Sequence, residues 1–399
     1  MRFTSRLACH FAKPLSRPCI VFQSIPNYKP PLAPHCGFSH SCTMRFAFAR
    51  IPALFSLLLA LPLCLSLSAC DMNPIGLELD AGWQQRSVAV WRNSKPDMMA
   101  LSPEGKWLYV SCETKAGHNA PSLAAINLET GRQYFLIFGL MRADALKFAP
   151  DGSLWIGEEF SEGLIWRIAG IDKLPTEQTV DRLTLNASHA AIVPFRAAGR
   201  FAHEGLTFSR DKRFAYLADE DKAGAIYRFN LEKRSLSVLD AAMTWRVVDD
   251  PDEARATARH LNAASFNRLE DMETLPDGRI LLAETGTGKV LALSDHGKTA
   301  SIETLLHDEQ IAHPDNLAWD EKRKVLWITD DDKPSALWAW DGRESRRIAL
   351  HRKAEITGVL PVGDDIYINL QGMKNESELT VKLTERNLNS GQVESAPDY

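Results

Sequence analysis

The first 70 residues contain no aspartate or glutamate, yet they carry seven lysines or arginines. A globular domain intersperses both signs of charge, so this one-sided stretch is set apart from the fold. Beyond it the balance reverses: 39 basic against 51 acidic residues leave a net charge of about −12. That surplus disfavours nucleic acid as a partner and suits cations. Cysteine is nearly absent from the same region. Cys9, Cys19, Cys36, Cys42, Cys64 and Cys70 all lie at or before residue 70, and only Cys112 follows. A lone thiol excludes a disulfide framework, so stability must come from the core that about 330 residues can bury. Several catalytic signatures are missing as well. There is no Gly-x-Ser-x-Gly elbow, and His307 and His313 have no second histidine at helical spacing. The string "ETGTGKV" lacks the first glycine of a phosphate loop and sits between two apolar runs, which makes it a hairpin turn.

Within the acid-free segment, "MRFAFARIPALFSLLLALPLCLSLSAC" has the build of a signal peptide over residues 44–69, with Arg45 and Arg50 before the apolar run Ile51 to Leu67. The closing "LSAC" is similar to a bacterial lipobox, in which Cys70 becomes a lipidated N-terminus. The expectation is a lipoprotein facing the periplasm of a bacterial envelope, held by its lipid, with Asp71 pointing to the inner membrane. An uncleaved membrane-spanning helix is the alternative for the same run. Residues 1–43 read as an upstream extension from a start codon placed too early. Residues 70–399 are the domain to be explained.

Six segments of that domain repeat one pattern: an alternating run, a turn with Gly, Asp or Lys, then a second run rich in Leu, Ile, Val, Trp and Tyr. They begin at Pro96, Ala143, His203, Glu270, Pro314 and Ile356. Each is a β-hairpin signature, and further strands such as "GLIWRIAG" and "AIYRFNLE" follow most of them. Three or four strands per unit in six units predict an all-β, six-bladed β-propeller. The longest interval accommodates an insert from Asp249 to Phe266, read as a loop with a short helix.

In a propeller the first strand of each unit lines the central channel. Asp97, Asp144, Glu204, Glu270 or Asp271, and Asp315 open five of these strands, with Thr357 neutral in the sixth. A second set closes the next strand: Glu113, Glu158, Glu159, Asp219, Glu220, Asp221, Glu284, Asp330 and Asp331. Antiparallel neighbours place both sets on one rim. So many carboxylates raise one another's pKa unless cations neutralise them, and oxygen-only ligands favour Ca²⁺. Asp151, Asp211 and Asp277, by contrast, are expected to cap backbone amides in solvent-facing turns.

These strings resemble the PhoX-type alkaline phosphatases: "GRFAHEG" is similar to that family's His-Glu strand, "GEE" to its paired glutamates, "FNRLED" to its Arg-Pro-Glu-Asp element and "YINLQG" to its C-terminal Asn-x-Gln strand. The resemblance implies a six-bladed propeller that binds several calcium ions, with iron in the best-described members, and hydrolyses a small phosphomonoester; the chain is expected to act as a monomer. It implies metal ligands at Glu159, Glu204 and Glu270, and Arg268 on the phosphate. Glu158, Asp219, Glu220, Asp271, Asp315 and Asp330 complete the candidate ligand set, and His203 is a candidate proton carrier or orienter of a ligand. Family members carry a cysteine ligand where this chain has Gly157. Two other classes fit the same acids: a calcium-dependent propeller lactonase or esterase, and a non-catalytic lipoprotein whose metals close the channel.

Overall fold

The computed structural model describes residues 75–115, 119–373 and 377–386, so the stretch read as a signal peptide, the expected lipidation site Cys70 and residues 1–43 lie outside the described residues. The chain forms a six-bladed β-propeller. Each blade grows outward from an innermost strand, and the six innermost strands are Pro96–Leu101, Ala143–Phe148, His203–Phe208, Leu269–Thr274, Pro314–Asp320 and Glu355–Val362. They touch in sequence order, and the last meets the first, so the ring is closed.

Closure depends on a strand from outside the repeats. Trp83–Trp91 pairs antiparallel with Glu378–Glu385, so the sixth blade combines the two ends of the described chain. Its last residue anchors the seam: Trp91 is buried, and its indole Nε1 donates to Thr380 Oγ1 at 2.9 Å. The neighbouring Leu77–Leu79 strand adds an outer edge to the fifth blade.

The hydrophobic core lies between blades, because each sheet is apolar on both faces. Trp155 of the second blade meets Phe208 and Phe229 of the third, at ring centroid distances of 5.2 and 6.4 Å. Trp166 and Trp327 are buried in the same manner, at other blade contacts. Edge-to-face pairs of this kind add to the area that each large ring removes from water. The insert forms a short 3₁₀ turn over Pro251–Glu253 and a helix over Ala254–His260. The turn acids behave as expected, with Asp151, Asp211 and Asp277 accepting the backbone N–H groups of Ser153, Arg213 and Arg279.

One irregularity recurs in all six blades. The ladder between first and second strands is regular at Pro96–Cys112, Ala143–Glu158, His203–Asp219, Leu269–Glu284, Pro314–Asp330 and Thr357–Asn369, and each pair is followed directly by a register shift. A β-bulge leaves residues unpaired and re-aims their side chains. The first bulged residues are Asp97, Asp144, Glu204, Glu270, Asp315 and Gly358. Gly358, not Thr357, therefore holds the sixth position. Only glycine fits there: its φ is +61°, and a Cβ would sit 2.0 Å from the Asp97 carbonyl oxygen.

Candidate functional site

The bulges bring carboxylates together at one end of the channel. Ligand-capable atoms of Asp144, Glu159 and Glu204 lie within 4.8 Å of one another, and so do those of Glu204, Glu270 and Asp315. All five residues are buried. Among the described residues, Asp144 Oδ1, Glu204 Oε2 and Glu270 Oε1 are shielded from solvent and have no hydrogen-bond partner. Buried charged oxygens without donors are costly, so the arrangement calls for cations or protons.

Electrostatics agree with the geometry. Burial first, then the surrounding acids, pushes Asp144, Glu204 and Asp315 well above the ordinary carboxylate range. Burial raises Glu159 to about 9 against the opposing Arg142 charge. Glu270 is raised by burial too, while its hydrogen bond with Glu204 and the Arg268 charge act the other way. The Glu204–Glu270 contact is a carboxyl pair that needs a shared proton when no cation is near.

Asp97 is differently placed. Its two oxygens accept from Thr357 Oγ1 at 2.5 Å and Gln371 Nε2 at 2.7 Å. Thr357 Oγ1 also lies 2.7 Å from Asn316 Oδ1, which the Gly358 N–H already marks as an acceptor. A hydroxyl has one proton, so it can serve only one of these acceptors unless Asp97 is itself protonated. Burial and the Glu113 charge lift Asp97 to about 7, which fits the protonated form.

Cations ring the rim. Lys95, Arg142 and Arg268 each precede an innermost strand and share a left-handed backbone, with φ of 46°, 47° and 55°. Arg142 bridges Glu113 and Glu159. Arg268 spans Glu220 at 2.9 Å, Glu270 at 2.5 Å and Asp331 at 3.5 Å. The approach to Glu270 is a charge contact without hydrogen-bond alignment, which is why Glu270 Oε1 still has no donor. Arg142 was not singled out from the sequence. Its signal was positional: it stands before "ADAL" as Arg268 stands before "LEDM".

Several sequence-proposed ligands have other partners. Glu158 faces into its blade, accepting from Met141 N, Leu164 N and Trp166 Nε1 and pairing with Arg182 at 2.8 Å. Asp219 is held by Arg255 of the insert, whose Nε lies 2.9 Å from Oδ2. Asp271 is the second bulged residue, and its oxygens take the N–H groups of Met272 and Leu317. Asp330 Oδ1 caps His313 N, beside an exposed His313–Asp332 contact of 2.9 Å. Glu220 stays at the rim on Arg268. The physical reason is alternation: adjacent strand residues face opposite ways, so in "GEE" only Glu159 reaches the channel.

His203 is also turned away. It is fully buried, its Nε2 donates to Gly199 O at 3.1 Å, and it lies 3.9 Å from the Phe201 ring. Burial lowers its pKa to about 3, so the ring is neutral at neutral pH, and it packs inside the blade away from the carboxylate groups of the mouth. Gly157 packs against it: a Cβ at 157 would lie 2.8 Å from the His203 Cβ, which leaves no room for a cysteine ligand. Cys112 is buried, and burial pushes its thiol up.

No family model matches the chain, and no curated protein matches it. Solved structures do. A gluconolactonase from Xanthomonas campestris is 12% identical, with a TM-score of 0.51, over 77% of this chain and 91% of that one. A luciferin-regenerating enzyme is 9% identical, with a TM-score of 0.52, over 77% of this chain and 96% of that one. Identity this low shows the shared propeller alone. The similar structures are propellers of this kind and not PhoX-type alkaline phosphatases, which overturns the resemblance drawn from short motifs. Two of those motifs open innermost strands, at His203 and Leu269, and two close second strands, at Glu158 and Gln371, so they mark the same end of the blades.

Proposed function

We propose that this protein is a metal-dependent hydrolase of carboxylic esters or lactones, acting at the acidic channel mouth. The observation that carries the reading is the buried group around Glu204, in which Asp144 Oδ1 and Glu204 Oε2 have no donor among the described residues and Glu270 Oε1 has an ion-pair contact with Arg268 but no aligned hydrogen bond. An all-oxygen set fits a hard divalent cation such as Ca²⁺. Asp144, Glu159, Glu204, Glu270 and Asp315 would hold it. When bound, such a cation supplies Lewis acidity toward a carbonyl oxygen. Similar propellers include a protein described as a gluconolactonase, which favours this chemistry over phosphate-ester hydrolysis.

The chain's own residues supply positioning and proton handling. Arg142 and Arg268 place positive charge at the rim beside the buried acids. Asp331 and Glu355, from neighbouring blades, form a second carboxyl pair there: burial, then the Asp331 charge, raises Glu355 to about 8. A pair that holds one proton near neutral pH can take a proton from water and return it to a leaving alkoxide.

The test is a substrate panel assayed with Ca²⁺: γ- and δ-lactones, p-nitrophenyl acetate and p-nitrophenyl phosphate. Turnover of a lactone or the acetate, lost in Glu204→Gln, supports the reading. Turnover of the phosphate alone refutes it.

A further inference from the structure

The channel mouth contains two ligand groups, not one, and they share a single residue. Asp144 and Glu159 meet Glu204 on one side, and Glu270 and Asp315 meet it on the other. We propose that the mouth holds two divalent cations bridged by the Glu204 carboxylate. The inference rests on the metal-binding reading above but fixes a stoichiometry and a bridge that the reading does not require.

Three observations carry it. Asp144 Oδ1 on one side and Glu204 Oε2 of the shared residue are buried oxygens without a donor, and on the other side Glu270 Oε1 has the Arg268 guanidinium at 2.5 Å as an ion-pair partner but no aligned hydrogen bond. One ion would satisfy one side and leave the other side's oxygen exposed to its neighbours' charge. Each group also has its own guanidinium at the same register, Arg142 at Glu159 and Arg268 at Glu270. The two arginines precede equivalent innermost strands, in the second and fourth blades, and each is in contact with one of the two groups.

Charge gives the third. Asp97, Asp144, Glu159, Glu204, Glu270 and Asp315 are buried carboxylates at this end of the channel, and Arg142 and Arg268 are the cations in contact with them. With Asp97 protonated, as its contact with the Thr357 hydroxyl indicates, and the other five carboxylates ionised, three negative charges remain, more than one divalent ion cancels. Asp97 is not a ligand in this scheme, because Thr357 and Gln371 already occupy both its oxygens. A carboxylate with one oxygen toward each ion is a common bridge in two-metal sites that act on esters and amides.

The experiment counts ions. Protein stripped with a chelator is titrated with CaCl₂ by calorimetry, and bound calcium is measured after equilibrium dialysis. Both are done in an Asp332→Asn background, which dismantles the exposed His313–Asp330–Asp332 group that is the other candidate site among the described residues. Two ions per chain are expected. Asp144→Asn and Asp315→Asn should each leave one ion, and Glu204→Gln should weaken both by 100-fold or more. One ion in the parent protein, abolished alike by Asp144→Asn and Asp315→Asn, overturns the two-ion inference and leaves the metal-binding reading standing. No bound calcium overturns both. The ion count of the parent protein decides the matter even if Glu204→Gln fails to fold.

Discussion

Without metal, the protein should lose stability as pH rises from 5 to 7, opposite to the acid denaturation of most proteins. A carboxyl whose folded pKa is raised binds more protons in the folded than in the unfolded state between the two values. Stability then falls with pH across that window. Glu159 is raised from 4.5 to about 9, Asp97 from 3.8 to about 7 and Glu355 from 4.5 to about 8, with burial the largest cause in each. Each such group contributes a slope of about −1.4 kcal/mol per pH unit inside its window. Coupling among neighbours reduces the sum. Even two groups acting over two pH units amount to about 5 kcal/mol, a large part of typical domain stability. Urea denaturation at pH 5, 6, 7 and 8 in a pH-insensitive calcium chelator measures it. Saturating Ca²⁺ should flatten or reverse the trend, since the cation binds ionised ligands. Stability that is level or rises with pH in the chelator would refute the reasoning.

Gly358→Ala should destabilise by several kcal/mol or abolish folding, since it adds a left-handed backbone cost of about 1–2 kcal/mol to a clash with Asp97; soluble yield and urea midpoint test this. Trp91→Ala should cost about 3–5 kcal/mol by opening a cavity at the seam and leaving Thr380 Oγ1 without its indole donor, read by the same denaturation curve. Arg268→Ala should tighten calcium binding, because it removes a cation that competes for Glu270; calorimetry showing weaker binding would contradict that. His203→Gln should lower the melting temperature without changing the pH dependence of activity, since the ring is neutral and faces the blade.

The blade pattern was readable because alternation and turn residues repeat six times, and repetition outweighs the ambiguity of any one strand. The closing strand was not, since Trp83–Trp91 precedes the first repeat and pairs only with Glu378–Glu385, nearly three hundred residues away. At the site, Glu204, Glu270 and Asp315 were legible as acids that open inner strands. Which member of an adjacent acidic pair faces the channel was not legible. For Glu270 and Asp271 facing depends on a β-bulge that leaves no composition signal, and for Glu158 and Glu159 on where the second strand ends: Glu159 and Glu270 point inward while Glu158 and Asp271 accept backbone amides. Gly358 was hidden for the same reason, because counting strand positions without the bulge selects Thr357.

Calcium-dependent turnover of an uncharged lactone tests the proposed role of the channel mouth most directly. Chelator-stripped protein should be inactive, and activity should rise with Ca²⁺ along the binding curve and saturate with it. Full activity in the chelator with metal confirmed absent, or metal-saturated protein that turns over no lactone or carboxylic ester, would contradict it.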